Sequence, residues 1–555
     1  MRELTGVSIV LGVVLAVVFG AANAYLGLRV GLTVSASIPA AVVSMGVLRF
    51  VLRRDSRLEN NMVQTIGSAG ESLAAGAIFT MPALYLWAEE GVAAPPGFFS
   101  LTVIALAGGV LGVLFMIPLR RPLIVDEEKT LVYPEGRACA EVIRAGEKGT
   151  GRASRVFAGL GLAVVVKLVT DLVRIVPASF SLPVRAIRGE LGLEISSALA
   201  GVGFIVGPKI SLLVFSGSFL GWMVLVPVFC AVDGGALASY ESGGATAVWR
   251  DYIRFVGAGA IAAGGFHSLL RSVPLFAKTF VSSWKDVRRT GEGEDLPMRR
   301  VVIGVIAVIV LVAALPAVPV GVGGALLIAL FGFFFAAVSA RMVGLVGSSN
   351  NPVSGMTIAT LVVSAFVLKT CGVVGAAGMV AAISIGSVVC IVASIAGDTA
   401  QDLKTGRILG ATAWKQQLGE LVGVAAAGLA IVGVLVLLHR AWGFGGDEIP
   451  APQATLMKVI VEGIMGGTLP WKLMAVGVII AAVLIVCRVP VMPFAIGLYL
   501  PVKLNTTIFA GGLVRGFLNR RSLRRADDGV LLSAGLIAGE GLCGIALAVL
   551  TLLLR

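Results

Sequence analysis

Apolar stretches of about 20 residues recur from one end of this 555-residue chain to the other. Each is long enough to cross a hydrocarbon layer about 30 Å thick. Inside a bilayer the backbone must satisfy its own hydrogen bonds, and a continuous apolar run does so as a helix. About 14 such runs can be counted. They predict an all-α polytopic membrane protein of about 14–16 transmembrane or re-entrant helices. Only 14% of residues are charged and 57% are hydrophobic, against about 25% charged in soluble domains. No soluble domain fits between the runs. The longest polar insert divides the chain into a membrane half at 1–277, a basic loop at 278–300 and a second membrane half at 301–555.

The net charge of +13 follows from topology rather than from a polyanionic partner such as nucleic acid. Basic residues gather in four short loops: Arg49, Arg53, Arg54 and Arg57; Arg120, Arg121, Lys148, Arg152 and Arg155; Lys278, Lys285, Arg288, Arg289, Arg299 and Arg300; Arg515, Arg520, Arg521, Arg524 and Arg525. The loops with Glu89-Glu90, Asp233, Glu241 and Asp447-Glu448 are acidic or neutral. By the positive-inside rule the basic loops are cytoplasmic, in a plasma (inner) membrane protein. Thr5 to Phe19 with Ala22-Asn23-Ala24 resembles a cleavable leader, but its n-region is Arg2 followed by Glu3, so it is read as the first span.

The six cysteines and two histidines are scattered singly. They form no metal-ligand spacing and no nucleophile–base motif, so the chain reads as neither a metal-site protein nor an enzyme.

Polar strings interrupt the apolar runs at several places. Ser348-Ser349-Asn350-Asn351-Pro352-Val353-Ser354-Gly355-Met356-Thr357 lies between two long apolar segments. Proline removes a backbone donor and disfavours helix at the residue before it, so a helix breaks here. A break at membrane depth survives only in protein or beside a wet cavity. An asparagine cap explains one amide but not the surrounding Ser348, Ser349, Ser354 and Thr357. Asn60 to Ser72 places Gln64, Ser68 and Glu71 on one helical face. Tyr133-Pro134-Glu135-Gly136 suits a helix start whose free N–H groups attract anions. Ala396 to Gly406 and Tyr499 to Thr507 are further polar strings.

The order is loosely repeated. Asn23, Gln64 and Pro134 in the first half parallel an asparagine break, a glutamine/acid break and a tyrosine–proline break in the second. Two degenerate repeats with broken helices are a pointer to a transporter's binding site.

Several of these strings resemble the oligopeptide transporter (OPT) superfamily, which includes yellow stripe-like carriers of metal chelates. They are Asn60-Asn61-Met62-Val63-Gln64-Thr65 with Gly70-Glu71-Ser72, Tyr133-Pro134-Glu135-Gly136, and Asn350 to Thr357. Ala396-Gly397-Asp398 with Gln401-Asp402-Leu403-Lys404-Thr405-Gly406, and Gly539-Glu540, complete the set. The resemblance implies a proton-coupled secondary carrier for small peptides, peptide-like compounds or metal chelates, driven by the proton gradient without a cofactor. A channel or facilitator is the alternative. The peptide-transporting branch has Asn-Pro-Gly and Lys-Ile-Pro-Pro-Arg motifs. Here Val353 follows Pro352 and no basic–proline string occurs, which leans toward the prokaryotic and yellow stripe-like side.

On this reading the substrate meets Asn23, Asn60, Asn61, Gln64, Ser68, Tyr133, Pro134, Asn350, Asn351, Ser354, Thr357, Gln401 and Asn505. Carboxyls at membrane depth tend to be functional, and burial favours their protonated form. Glu71, Glu135, Asp398 and Glu540 are therefore the expected proton-coupling groups. Glu420, close to Lys415, reads instead as half of a salt bridge. Lys167, Asp171 and Arg174 read as a self-neutralising structural triad. Gly27-x-x-x-Gly31, Gly108-x-x-x-Gly112, Gly217-x-x-x-Gly221 and Gly535-x-x-x-Gly539 allow close helix packing, within the chain or in a homodimer.

Overall fold

The computed structural model describes residues 3–553 except 32, 34, 55, 130, 147–152, 174, 265, 268–269, 271–293, 349–350 and 467–469. Asn350, Arg174 and most of the 278–300 loop lie outside the described residues. The rest is overwhelmingly helical, and among it eight helices are long and apolar enough to cross a membrane. Several runs expected to cross are shorter. The Leu32–Leu52 segment, read as a full span, forms Ser37–Gly46 continued by a wider turn at Val47–Val51. At 1.5 Å per residue that is about 22 Å, short of the membrane core.

Among the described residues the helices pack in two groups, and each draws on both ends of the sequence. The first contains α1 (Gly6–Val30), α3 (Arg57–Ile78) and α4 (Phe98–Arg120), with the short α2 (Ser37–Gly46) and α5 (Pro134–Gly146) against it. The second begins with α6 (Ala153–Lys167), α7 (Ser197–Val206) and α8 (Pro208–Leu220). The chain then returns to the first group with α9 (Gly321–Val346), α10 (Val353–Thr370), α11 (Gly375–Leu409), α12 (Ala413–Trp442) and α13 (Pro452–Met465). It closes the second with α14 (Val491–Tyr499), α15 (Val502–Arg521) and α16 (Leu523–Leu553). The seam between the groups is made chiefly by α16 against α1 and α12.

At the centre of the first group stands α11, 35 residues long and almost wholly buried. Its neighbours approach on glycine: a Cβ on Gly76 would lie 2.6 Å from Ile391 Cα, and one on Gly112 2.8 Å from Ile395 Cβ. The Gly108-x-x-x-Gly112 pair is thus used between α4 and α11. Gly217 and Gly221 pack on α14, and Gly535 and Gly539 on α6, so these motifs hold this chain's own helices together.

The expected breaks at Pro134, Gly207–Pro208, Pro352 and Pro501 are present, with a helix starting at or just after each proline. Three others are not breaks. Asn23 lies inside the continuous α1, the 59–72 string inside α3, and the 396–406 string inside α11. Their polar side chains pair with one another across helices, and the backbone ladder stays intact. One element was not expected: an antiparallel hairpin of β1 (Ser179–Val184) and β2 (Gly189–Glu194), with Ser179 opposite Glu194. It packs on the start of α15.

Candidate functional site

Ser56 caps α3, its hydroxyl accepting from the Glu59 N–H at 3.3 Å. The helix is buried from Leu58 to Ile78, so its polar side chains must find partners inside the protein. They find them on α11 and α12. Gln64 Nε2 donates to Asp402 Oδ1 at 2.6 Å, and Ser68 Oγ donates to Asp402 Oδ2. Asp398, one turn earlier on α11, lies beside Ser68 and Ser72. Glu420 of α12 lies against Asp402. Gln416 Nε2 donates to both Thr65 Oγ1 and the Asp402 carbonyl, at 3.1 Å each.

Glu71 continues this face of α3. Its Oε2 accepts the Ala36 N–H at 3.0 Å, and the Asn23 amide stands 3.4 Å from Oε1. The result is a row of four carboxyls, Glu71, Asp398, Asp402 and Glu420, none more than 5% exposed. Among the described residues no lysine or arginine forms an ion pair with any of them. The expected Lys415–Glu420 bridge is not made: Lys415 reaches Glu3 at 3.6 Å instead.

Beside Glu71 lies a cavity of about 150 Å³. Its walls include Glu71 and Ser72 of α3, Asn351 and Ser354 at the Pro352 break, Ser394 of α11 and Gln453 of α13. Asn351 Nδ2 donates to Ser339 Oγ at 2.7 Å, and Ser339 donates onward to the Ala393 carbonyl. Asn351 Oδ1 and Gln453 Oε1 have no hydrogen-bond partner among the described residues. The break is held open by Gly347, whose φ of 86° and ψ of 165° belong to a region only glycine occupies comfortably. Glu135 of α5 packs beside that glycine.

The family model described as "OPT oligopeptide transporter protein" matches residues 3–551. The chain belongs to the OPT family. This OPT protein is 34% identical to a putative oligopeptide transporter of Haemophilus influenzae, over 91% of its own length and 89% of the relative's. It is also 24% identical to a probable metal-nicotianamine transporter of Oryza sativa subsp. japonica, over 45% of this chain and 40% of that one.

Within the OPT protein, Asn23, Gln64, Ser68, Glu71, Asp398, Asn351 and Ser354 converge on the cavity and the acid row behind it. Asn60 and Asn61 are buried near the start of α3, and neither amide atom of Asn61 has a hydrogen-bond partner among the described residues. Gln401 donates to Ser37 Oγ at 3.3 Å, and Thr405 joins α11 to the Gly136 carbonyl at 3.0 Å. Tyr133 is buried with φ 50° and donates its N–H to the Gly344 carbonyl at 2.9 Å, fixing the start of α5 at Pro134. Thr357 bonds back to the Val353 carbonyl within α10.

Two expected residues stand elsewhere. Asn505 is in the second group, donating to Ser218 and to the Gly497 carbonyl. Glu540 of α16 accepts from Ser196 Oγ at 2.6 Å, Ser197 Oγ at 2.7 Å and the Ala198 N–H at 2.8 Å, which clamps the start of α7. Sequence reasoning overlooked Asp402, Ser72, Ser394 and Gln453. A signal existed for two: Asp398 and Asp402 share a face of α11 at i, i+4, as Ser68 and Ser72 do on α3.

Proposed function

We propose that this OPT protein is a proton-coupled secondary carrier of a small peptide, peptide-like compound or metal chelate, taken inward across the plasma (inner) membrane. The observation that carries the reading is the polar cavity backed by four buried carboxyls without a basic counter-ion among the described residues. An ionised carboxylate stranded at that depth costs several kcal/mol unless something compensates it. The protonation of the row is therefore bound up with what occupies the cavity, which is the requirement for coupling. Asn351, Ser354, Gln453 and Ser72 would hydrogen-bond the solute, while Glu71, Asp398 and Asp402, with Glu420 behind them, would carry protons. Glu540 serves as the α7 clamp in this scheme.

At about 150 Å³ the cavity is smaller than the roughly 300–1,000 Å³ of sites for drug-sized ligands. A peptide or chelate therefore enters only when the helices around it part. The seam between the two groups supplies a plane for that motion, with the basic loops on the cytoplasmic side. Uptake into proteoliposomes under an imposed proton gradient, comparing peptides with metal chelates, tests the function. Asn351→Ala should abolish uptake with folded protein still in the membrane. Gradient-independent flux without substrate exchange would mean a channel instead.

A further inference from the structure

A second, larger cavity of about 420 Å³ opens at the end of α1 remote from the Arg53–Arg57 cluster. It sits on the seam. Arg29 of α1 and Glu448 of the α12–α13 connection come from the first group; Lys167 and Asp171 at the end of α6, Glu194 of β2 and Lys503 of α15 come from the second. Its volume lies within the range of small-molecule sites.

Among the described residues three cations face three acids here, and four of the six form ion pairs with one another. Arg29, 3% exposed, joins Glu194 at 2.6 Å across the seam, and Lys167 joins Asp171 at 2.6 Å. Arg29 also donates to the Glu448 carbonyl at 3.1 Å, which fixes the acidic loop beside the cavity. The remaining two, Lys503 and Glu448, each lie in the field of one neighbour, Glu448 in that of Arg29 and Lys503 in that of Glu190. Among the described residues neither the Lys503 ammonium nor the Glu448 carboxylate is in an ion pair. The other acid near Lys503, Glu190, stands beside Ser181 and forms no ion pair with that ammonium among the described residues. Lys503 is also in the first turn of the 20-residue α15, where unpaired N–H groups add to the attraction for an anion.

We propose that this cavity is a binding site for a small zwitterionic solute, its carboxylate taken by Lys503 and its ammonium by Glu448. The ligand bridges the two helical groups, because its two charges are held by residues on opposite sides of the seam. Binding therefore draws the groups together at this end, beside the Arg29–Glu194 pair that already spans them. The site is distinct from the Glu71–Asn351 cavity; the choice of an Asn351→Ala background rests on the carrier reading, and the Lys503 and Glu448 variants test this site by itself.

Equilibrium binding of radiolabelled triglycine to the purified full-length protein tests it, in an Asn351→Ala background that removes the first cavity's contribution. Saturable binding is expected. Lys503→Gln and Glu448→Gln should each weaken it by about tenfold or more, the weight of one lost charge-assisted contact. N-acetyl-triglycine amide, which lacks both charges, should not compete. The double exchange Lys503→Glu with Glu448→Lys should recover affinity toward the Asn351→Ala parent level, which a general folding defect would not allow. Absent saturable binding by the parent, equal binding by either single variant, or full competition by the uncharged analogue would each overturn the proposal. Wild-type uptake under a proton gradient, measured separately, tests the carrier reading.

Discussion

Replacing Glu540 separates a clamp from a proton carrier. Its carboxylate accepts three hydrogen bonds from the first turn of α7: two serine hydroxyls and the Ala198 N–H, all between 2.6 and 2.8 Å. A hydrogen bond to a charged acceptor contributes about 1.5–3 kcal/mol and a neutral one about 0.5–1.5 kcal/mol. In Glu540→Gln the amide oxygen still accepts from Ala198 and Ser197, and the amide nitrogen donates to Ser196. Three bonds survive in neutral form, a loss of roughly 1 kcal/mol each, partly offset because no charge is buried. The net destabilisation should be about 1–3 kcal/mol. Glu540→Ala removes both acceptor oxygens and strands an N–H and two hydroxyls in a buried site, so about 4 kcal/mol or more is expected. Unfolding in mixed micelles of rising SDS fraction measures both. Gradient-driven uptake, measured in parallel, should persist in the Gln variant. A Gln variant that is as stable as the wild type but no longer couples to protons would refute the clamp and restore Glu540 to the coupling path.

Gly347→Ala places a Cβ 2.7 Å from Glu135 Oε1 on a backbone with φ 86°; strain of about 1–3 kcal/mol should shift the break that carries Asn351. Uptake should fall with only a modest loss of thermal stability, and wild-type values in both would show that the break does not need glycine. Glu128 is held below the usual carboxylate range by the buried Lys404 ammonium at 2.9 Å, with Arg407 adding to it. Its stabilising contribution is present above the ordinary glutamate range, about 4.3, and is lost as pH falls through the lowered value. Amide exchange over residues 403–409 should accelerate in that acidic window, and Glu128→Gln should show faster exchange already at neutral pH without the acid step.

Much of the fold was legible because its determinants are local. Proline at 134, 208, 352 and 501 stands at or just before a helix start, where its fixed φ and missing N–H fit the first turn. The 396–406 string misled because a run of polar residues at membrane depth reads as a broken helix, whereas here Asp402 is matched by Gln64, 338 residues away. No local pattern reports such a register. Glu420 was discounted for the same reason: Lys415 is near in sequence, but Asp402 is near in space. The hairpin did leave a trace in the alternation of Phe180, Leu182 and Val184, a period-2 pattern overshadowed by the apolar runs around it. The stretch from Leu32 to Leu52 shows the limit of hydropathy, since an apolar run can be long enough to cross and still fold as a short helix.

Glu71 offers the most direct test of proton coupling at the cavity. Glu71→Gln preserves an acceptor for the Ala36 N–H, gives up the 3.4 Å contact from the Asn23 amide and removes the exchangeable charge. The measurement is solute accumulation driven by a pH gradient, set against solute exchange at equal pH, in the same proteoliposomes. Coupling at this residue predicts that exchange continues while accumulation is lost. Accumulation by the variant equal to that of the wild type would contradict the account.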